Sequence, residues 1–340
     1  MLTDQFTDFI FNSLTKLNVK WLSSFSGQPD YSEGKALTEM TTFVTASEPK
    51  LIWAGGAILG EGPVWVDRET ALYWVDIKSC AIHRINLKTN TKDSWNTGTP
   101  IGALHPISSG GFIGALKNGI HKVELNTVLE NATLDFLIDP EPTQINNRFN
   151  DAKVGPDGAL WAGSMDDLET EPTGSLYRIA KGGVTKIDSD YVITNGPTFS
   201  PDGKTLYHTD TLKRTIYAFD LDMSGSALNK RVFINIPPEN GHPDGMTIDT
   251  EGCLWVCHWG GWRITRYSPE GIELMQIKMP VANITSCVFG GDNHQTLFVT
   301  TASKGLSDAE KEAQPDAGGV FAIELNISGP ATQYYDGGSN

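Results

Sequence analysis

Positive charge is scarce in this chain of 340 residues: 26 Lys and Arg stand against 41 Asp and Glu, a formal net charge of −15 at pH 7. Nucleic acid and anionic membrane surfaces both require basic patches, so neither is expected as a partner. No apolar run approaches the roughly 18 residues that a membrane-spanning helix requires. The first residues carry Asp4 and Asp8 instead of a basic stretch and lead into no sustained apolar run. A secretory signal is therefore not recognisable, and a cytoplasmic location is expected. Cysteine is sparse as well. Cys80, Cys253, Cys257 and Cys287 show no C-x-x-C metal spacing and are expected to be reduced thiols packed in the core. No G-x-S-x-G element or Ser-His-Asp arrangement is apparent, which argues against a serine-esterase mechanism.

What the chain does have is a repeat. With Gly62, Gly102, Asp151, Gly196, Gly245 and Ser286 as equivalent anchors, successive gaps run from roughly 40 to roughly 49 residues, the period of four-stranded propeller blades. After several anchors comes a turn such as Pro156-Asp157-Gly158, Pro201-Asp202-Gly203 or Thr250-Glu251-Gly252, suited to hairpins because Gly tolerates positive φ. Runs such as Leu72-Tyr73-Trp74-Val75 and Leu254-Trp255-Val256-Cys257 follow these turns. Further runs such as Thr215-Ile216-Tyr217-Ala218-Phe219 then alternate in the manner of half-buried antiparallel strands. The expected fold is all-β, a six-bladed β-propeller with an N-terminal helical extension.

Three segments are expected along the chain. Residues 1–49 form an extension in which Phe6, Phe9, Ile10, Leu14, Leu17 and Trp21 recur at amphipathic-helix spacing, followed by a polar loop. An oligomer could form through this extension. Residues 50–326 form the propeller, and 327–340 a C-terminal tail. Lys50 to Ala54 should pair with the last blade as its outer strand, removing an open sheet edge. The charged stretch Ser307 to Pro315 reads as a surface loop, and Trp65, Trp161 and Trp255 as packing between blades.

Four oxygen-bearing residues recur at the start of the repeats: Glu61, Asn150, Asn195 and Asp244. Equivalent positions in a closed ring point at a common axis. Two carboxylates and two amides meeting there would make an all-oxygen metal site. The second repeat carries apolar Ile101-Gly102-Ala103-Leu104 and should contribute packing at the axis, and the sixth carries only the hydroxyls of Thr285 and Ser286.

Asn147-Arg148-Phe149-Asn150-Asp151, followed by Asp157-Gly158 and Trp161-Ala162-Gly163, resembles the sugar-lactonase family, which includes gluconolactonases and regucalcin (senescence marker protein). Leu59-Gly60-Glu61-Gly62-Pro63, Asn195-Gly196 and Pro243-Asp244-Gly245-Met246 extend the match in order over roughly Leu51 to Leu325. The resemblance implies a six-bladed propeller with one divalent ion in its axial cavity, held by Glu61, Asn195 and Asp244. It implies that Arg148 and Asn150 bind substrate oxygens and that Asp244 is also the general base. The leader, the Pro197 after Asn195-Gly196 and the acidic loop Asp166 to Glu171 depart from the family pattern.

The expected activity is that of a metal-dependent hydrolase opening a sugar-derived lactone, gluconolactone-like, to the aldonic acid. The alternatives are a calcium-binding regulatory protein of the regucalcin type and a propeller hydrolase of other esters or organophosphates. Lactone hydrolysis needs a polarised carbonyl, a deprotonated water and a stabilised oxyanion, and a divalent ion serves these as a Lewis acid. Oxygen donors make calcium the first choice, with magnesium, manganese or zinc as alternatives. A carboxylate on a cation is a poor base. Either the second oxygen of Asp244 takes the proton, or the ion does most of the acidification and Asp244 orients the water.

Overall fold

A computed structural model of the chain describes residues 43–222 and 225–338. The helix expected over Phe6 to Trp21, and any oligomer contact it would make, lies outside the described residues. The rest is six four-stranded antiparallel sheets. The first blade comprises Gly60–Val66, Ala71–Asp76, Ala81–Asn86 and Lys92–Asn96, from the axis outward. The second to fifth blades begin with the inner strands Ile101–Pro106, Asn147–Val154, Thr194–Phe199 and His242–Ile248, each followed by three more strands in chain order. Each inner strand packs against the next, and the sixth, Ile284–Gly290, packs against the first, so the ring closes.

Closure uses the strand expected for it. Lys50–Trp53 is the outer strand of the sixth blade and pairs antiparallel with Val320–Glu324, Lys50 opposite Ala322. The two ends of the ring are thus held by a sheet ladder, and the edge of Val320–Glu324 is covered.

Burial falls from the axis outward. Inner strands are flanked by neighbouring blades on both faces, and every residue of Thr194–Phe199 is buried. The outer strand of the same blade, Ala227–Asn235, is mostly exposed. The three tryptophans lie between blades as expected. Trp65 stacks on Phe298 at 5.6 Å between centroids, Trp161 meets Phe199 edge-on at 5.5 Å, and Trp255 meets Phe289 edge-on at 5.9 Å. A turn carboxylate accepts each indole N–H: Asp67 at 2.8 Å, Asp157 at 3.3 Å and Asp249 at 2.9 Å. The Asp-Gly turn at Asp157 is therefore structural, and Arg178 adds a 2.7 Å ion pair to it.

Three expectations need correction or extension. Ser307 to Pro315 is not simply a loop, because Asp308–Ala313 is helical. Ser307 caps it and Glu310 reaches back to the Ser307 amide, a capping box that satisfies two orphan N–H groups. Cys80 is a half-exposed turn residue, not a core thiol, while Cys253, Cys257 and Cys287 are buried and all four are free. The C-terminal tail runs under five blades. Ser328 accepts from Thr250, Gly329 donates to His294, Thr332 donates to Trp65, Tyr335 pairs with Pro106 and Ser108, and Lys181 donates to Gly337. Among the described residues no helix is long and apolar enough to cross a membrane.

Candidate functional site

Every inner strand breaks register at the same point. The shifts fall between Glu61 and Val64, Ile101 and Ala103, Phe149 and Asp151, Asn195 and Thr198, Pro243 and Met246, and Ile284 and Ser286. A bulge leaves a residue outside the ladder and re-aims its side chain, so a six-fold row of bulges turns six positions toward the axis together. Glycine makes two of these bulges possible for different reasons. Gly196 has φ +41 in the left-handed region. Gly245 lies so close to the next blade that a Cβ would come within 2.3 Å of Ser286 Oγ.

Glu61, Arg148, Asn150, Asn195 and Asp244 line one cavity of about 320 Å³ at the axis, so the five residues singled out in the sequence share a single site. Asn150 is its junction. Its Oδ1 accepts from Arg148 Nη1 at 2.6 Å, and its Nδ2 donates to Asn195 Oδ1 at 3.0 Å and to Thr194 O at 2.7 Å. Asn195 Nδ2 donates to Thr211 Oγ1 at 2.9 Å, which fixes the orientation of the amide. The Asn195 oxygen keeps a second lone pair for another partner.

The carboxylates are poorly compensated. Burial pushes the Glu61 carboxyl well above its ordinary range, and repulsion from Asp244 and Asp151 adds to this. Burial does the same to Asp244, again with Asp151 adding. Asp151, read in the sequence as a repeat anchor and not as a site residue, is the third acid of this group although it does not line the cavity. Its two oxygens accept from Ala152 N and Gly196 N, both at 2.8 Å, so it ties the third blade to the fourth and has no oxygen without a partner. Among the described residues Glu61 Oε2 accepts only from the Gly62 amide, at 3.0 Å. Two such carboxylates lining one cavity are relieved either by protonation or by a cation. No three His, Cys, Asp or Glu side chains among the described residues form a metal-binding group by themselves. A cation in this cavity would therefore draw on an amide oxygen as well, the donor that Asn195 presents. The set suits a hard, oxygen-seeking divalent ion.

Arg148 is almost completely buried, and its donors are partly committed. Nε donates to Asp167 Oδ1 at 2.8 Å and Nη1 to Asn150 and to Phe149 O, while Nη2 has no partner among the described residues. The side chains of Arg148 and Asn150 meet directly although Asn150 falls in the bulge. Asp167 also accepts from Lys78 at 2.8 Å and Lys117 at 3.4 Å. Burial pushes this carboxyl up, but Lys78 and Arg148 outweigh it and hold it at about 2. The acidic loop thus anchors Arg148 across three blades. Its signal in the sequence was the acidic run itself.

His242 lines the cavity, but its ring faces Arg214 Nη2 at 2.9 Å and Thr211 O at 3.2 Å. Its Nε2 therefore accepts and its Nδ1 donates. His258 is buried with Nδ1 on Asn240 O at 3.0 Å, and burial pushes it down to about 4. Neither ring hydrogen-bonds Asp244.

The model of the SMP-30/gluconolactonase/LRE-like region matches residues 59–303. A regucalcin of Xenopus laevis is 35% identical over 289 residues, covering 82% of this chain and 95% of its own length. A 6-deoxy-6-sulfogluconolactonase of Pseudomonas putida is 32% identical over 283 residues, covering 83% and 96%. The crystal structure of a calcium-binding protein, regucalcin, from Agrobacterium tumefaciens superposes with a TM-score of 0.80 at 29% identity, covering 84% of this chain and 97% of that one.

Proposed function

The chain belongs to the SMP-30/gluconolactonase/LRE-like family, and from that premise we propose that it is a lactonase opening a sugar-derived lactone to the aldonic acid, with Glu61, Asn195 and Asp244 holding one divalent cation. The observation that carries this reading is the facing of two under-compensated buried carboxylates, Glu61 and Asp244, across a cavity that also receives an oriented amide oxygen and a guanidinium. Relatives named as a sugar lactonase and as regucalcin support the activity and the ion respectively. Calcium fits the oxygen donors best, with magnesium, manganese and zinc as alternatives.

When bound, such an ion supplies Lewis-acid polarisation and neutralises the paired carboxylates. The protein's own groups do the rest. Asp244 accepts the proton of the attacking water as the new C–O bond forms at the lactone carbonyl. The same proton then passes to the ring oxygen as the ester C–O bond breaks, leaving the carboxylic acid and a free hydroxyl. Arg148 turns its uncommitted Nη2 toward the substrate's hydroxyls, and Asn150 holds both Arg148 and Asn195 in place. Leu59, Leu212 and Trp259 line the cavity and limit the water around the reacting ester.

A regulatory ion-binding protein would use the same three ligands but has no need of a guanidinium held by three separate acceptors with one nitrogen left over. The deciding experiment is titration of acid release from a panel of aldonolactones, with and without chelator. Release that is lost on chelation and restored by calcium or manganese supports the reading. Unchanged activity after full chelation removes the ion from it, and ion binding without any acid release makes the protein regulatory.

A further inference from the structure

Lys304 and Glu169 meet over the cavity just described. Lys304 follows the second strand of the sixth blade, Glu169 the second strand of the third, so in a ring of six they come from opposite blades. Both side chains line the cavity, and Lys304 Nζ forms an ion pair with Glu169 Oε1. Both are about one-third exposed, which sets the pair at the mouth. A substrate seated against Glu61, Asn195 and Asp244 therefore lies under a charged bridge spanning the ring.

Neither end of the bridge is loose. The Lys304 amide donates to Ile58 O at 2.8 Å and its carbonyl accepts from Asn283 Nδ2 at 3.0 Å, while Nζ stands 6.0 Å from the centroid of the Trp259 ring. Glu169 has φ 61, a left-handed backbone that a non-glycine residue adopts only where its surroundings impose it. Those surroundings are explicit. Asp166 accepts the amides of Leu168, Thr170 and Glu171, and Asp167 is held by Lys78, Lys117 and Arg148. A loop bound this firmly presents Glu169 at a fixed height above the cavity.

Resting on the lactonase reading, we propose that Lys304 is a specificity-determining residue: held over the cavity by Glu169, its ammonium recognises the hydroxylated exocyclic end of the lactone. An ammonium has three N–H donors and a carboxylate four lone-pair sites, so after pairing the bridge still offers both donors and acceptors. Neighbouring hydroxyls satisfy both kinds. A terminal anion on the substrate would meet Lys304 only by displacing Glu169 and facing its charge. A chain without hydroxyls would leave the pair partly desolvated and unrewarded. The bridge thus favours neutral polyhydroxylated lactones over anionic and deoxygenated ones.

The test compares three lactones of one ring size: a neutral aldonolactone, the same ring without exocyclic hydroxyls, and the same ring with a terminal carboxylate. Lys304→Met should raise KM for the first about tenfold, change kcat less, and leave the second unaffected, so the preference between them collapses. Glu169→Gln should improve the carboxylate-bearing lactone about tenfold relative to the neutral one, because it frees Lys304 to pair with the substrate. Melting curves establish that each variant is folded, and the Glu169→Gln arm stands alone if Lys304→Met is not. Equal losses of Lys304→Met on the first two lactones, as a purely structural brace would give, overturn the proposal, as does an unchanged ranking in Glu169→Gln. If the wild type opens none of the three, the lactonase reading fails and this proposal with it. If the wild type is active and the rankings do not move, only this proposal fails.

Discussion

Asn150 donates from Nδ2 to Oδ1 of Asn195 at 3.0 Å, across the boundary between the third and fourth blades. The same Asn150 accepts from Arg148 on its other side. One neutral side chain thus aligns the guanidinium proposed to hold substrate with the amide oxygen proposed to hold the ion. Asn150 has both amide hydrogens engaged, so its contribution is positioning more than direct contact with a sugar.

Asn150→Ala should therefore damage two functions together. Losing hydrogen bonds to a charged group and to a buried amide costs about 1.5–3 kcal/mol, or roughly ten- to a hundredfold in kcat/KM. Calorimetry should show weaker ion binding in the same variant, although Asn150 is not one of the proposed ligands. An intact ion affinity would show that Asn195 is oriented by Thr211 alone.

Among the proposed ligands, Asp244→Asn should be the most damaging because it removes charge, ligand and proton acceptor at once. Glu61→Gln should lose ion binding and activity in parallel. Asn195→Ala should be partly rescued by excess ion, since it removes only a neutral donor. Turnover near the wild-type value in Asp244→Asn would remove Asp244 from the centre of the mechanism.

Arg148→Ala should mainly raise KM, with kcat falling only if the contact strengthens as the oxyanion forms. Asp167→Asn should mimic it in milder form, because the anchor on Arg148 Nε weakens while Asn150 still holds Nη1. Steady-state kinetics on one aldonolactone measure both. An Asp167→Asn variant indistinguishable from wild type would show that the three-cation anchor does not matter for substrate.

Stability without metal should depend on pH in a particular direction. Burial and mutual repulsion raise the Glu61 and Asp244 carboxyls in the folded protein. A raised folded value means that the folded state binds more protons than the unfolded one between the unfolded and folded values. This contribution to stability is present at low pH and is lost as pH rises through the folded values. The chelated protein should accordingly gain more from added calcium at pH 8 than near pH 5. Melting temperatures with and without chelator across that range measure it, and a calcium effect that does not grow with pH would contradict the assignment.

Removing residues 328–340 should lower the melting temperature by several degrees while the ring stays closed. The tail bonds blades in the order fifth, sixth, first, second and third, but the closing ladder between Lys50–Trp53 and Val320–Glu324 does not depend on it. Roughly 1 kcal/mol corresponds to about 2–4 °C in a domain of about 150–250 residues, and to somewhat less in a larger one. An unchanged melting curve would show that these tail bonds add nothing to the stability of the ring.

Six blades and the convergence of Glu61, Asn150, Asn195 and Asp244 were legible because the repeat is local, the closing strand because an open edge has to be covered, and Arg148 through the family resemblance. A bulge needs a glycine or a small polar residue at one point of a repeat, and the repeat then carries that point to the axis wherever it recurs. The sequence alone therefore determined the ring, its closing strand and the arrival of Glu61, Asn150, Asn195 and Asp244 at the axis, but not Glu169 and Lys304, which line the same cavity. Tertiary structure decided how those side chains are held. Asp167 joins cations at positions 78, 117 and 148, Lys304 reaches Glu169 across 135 residues, and the tail touches five blades. Charged partners far apart in the chain leave no periodic trace, because a lysine at a strand end reads the same whether it faces water or a carboxylate on the opposite blade. Only the closed ring brings them within reach, and where one partner is buried, as Arg148 is, the low dielectric strengthens the pairing.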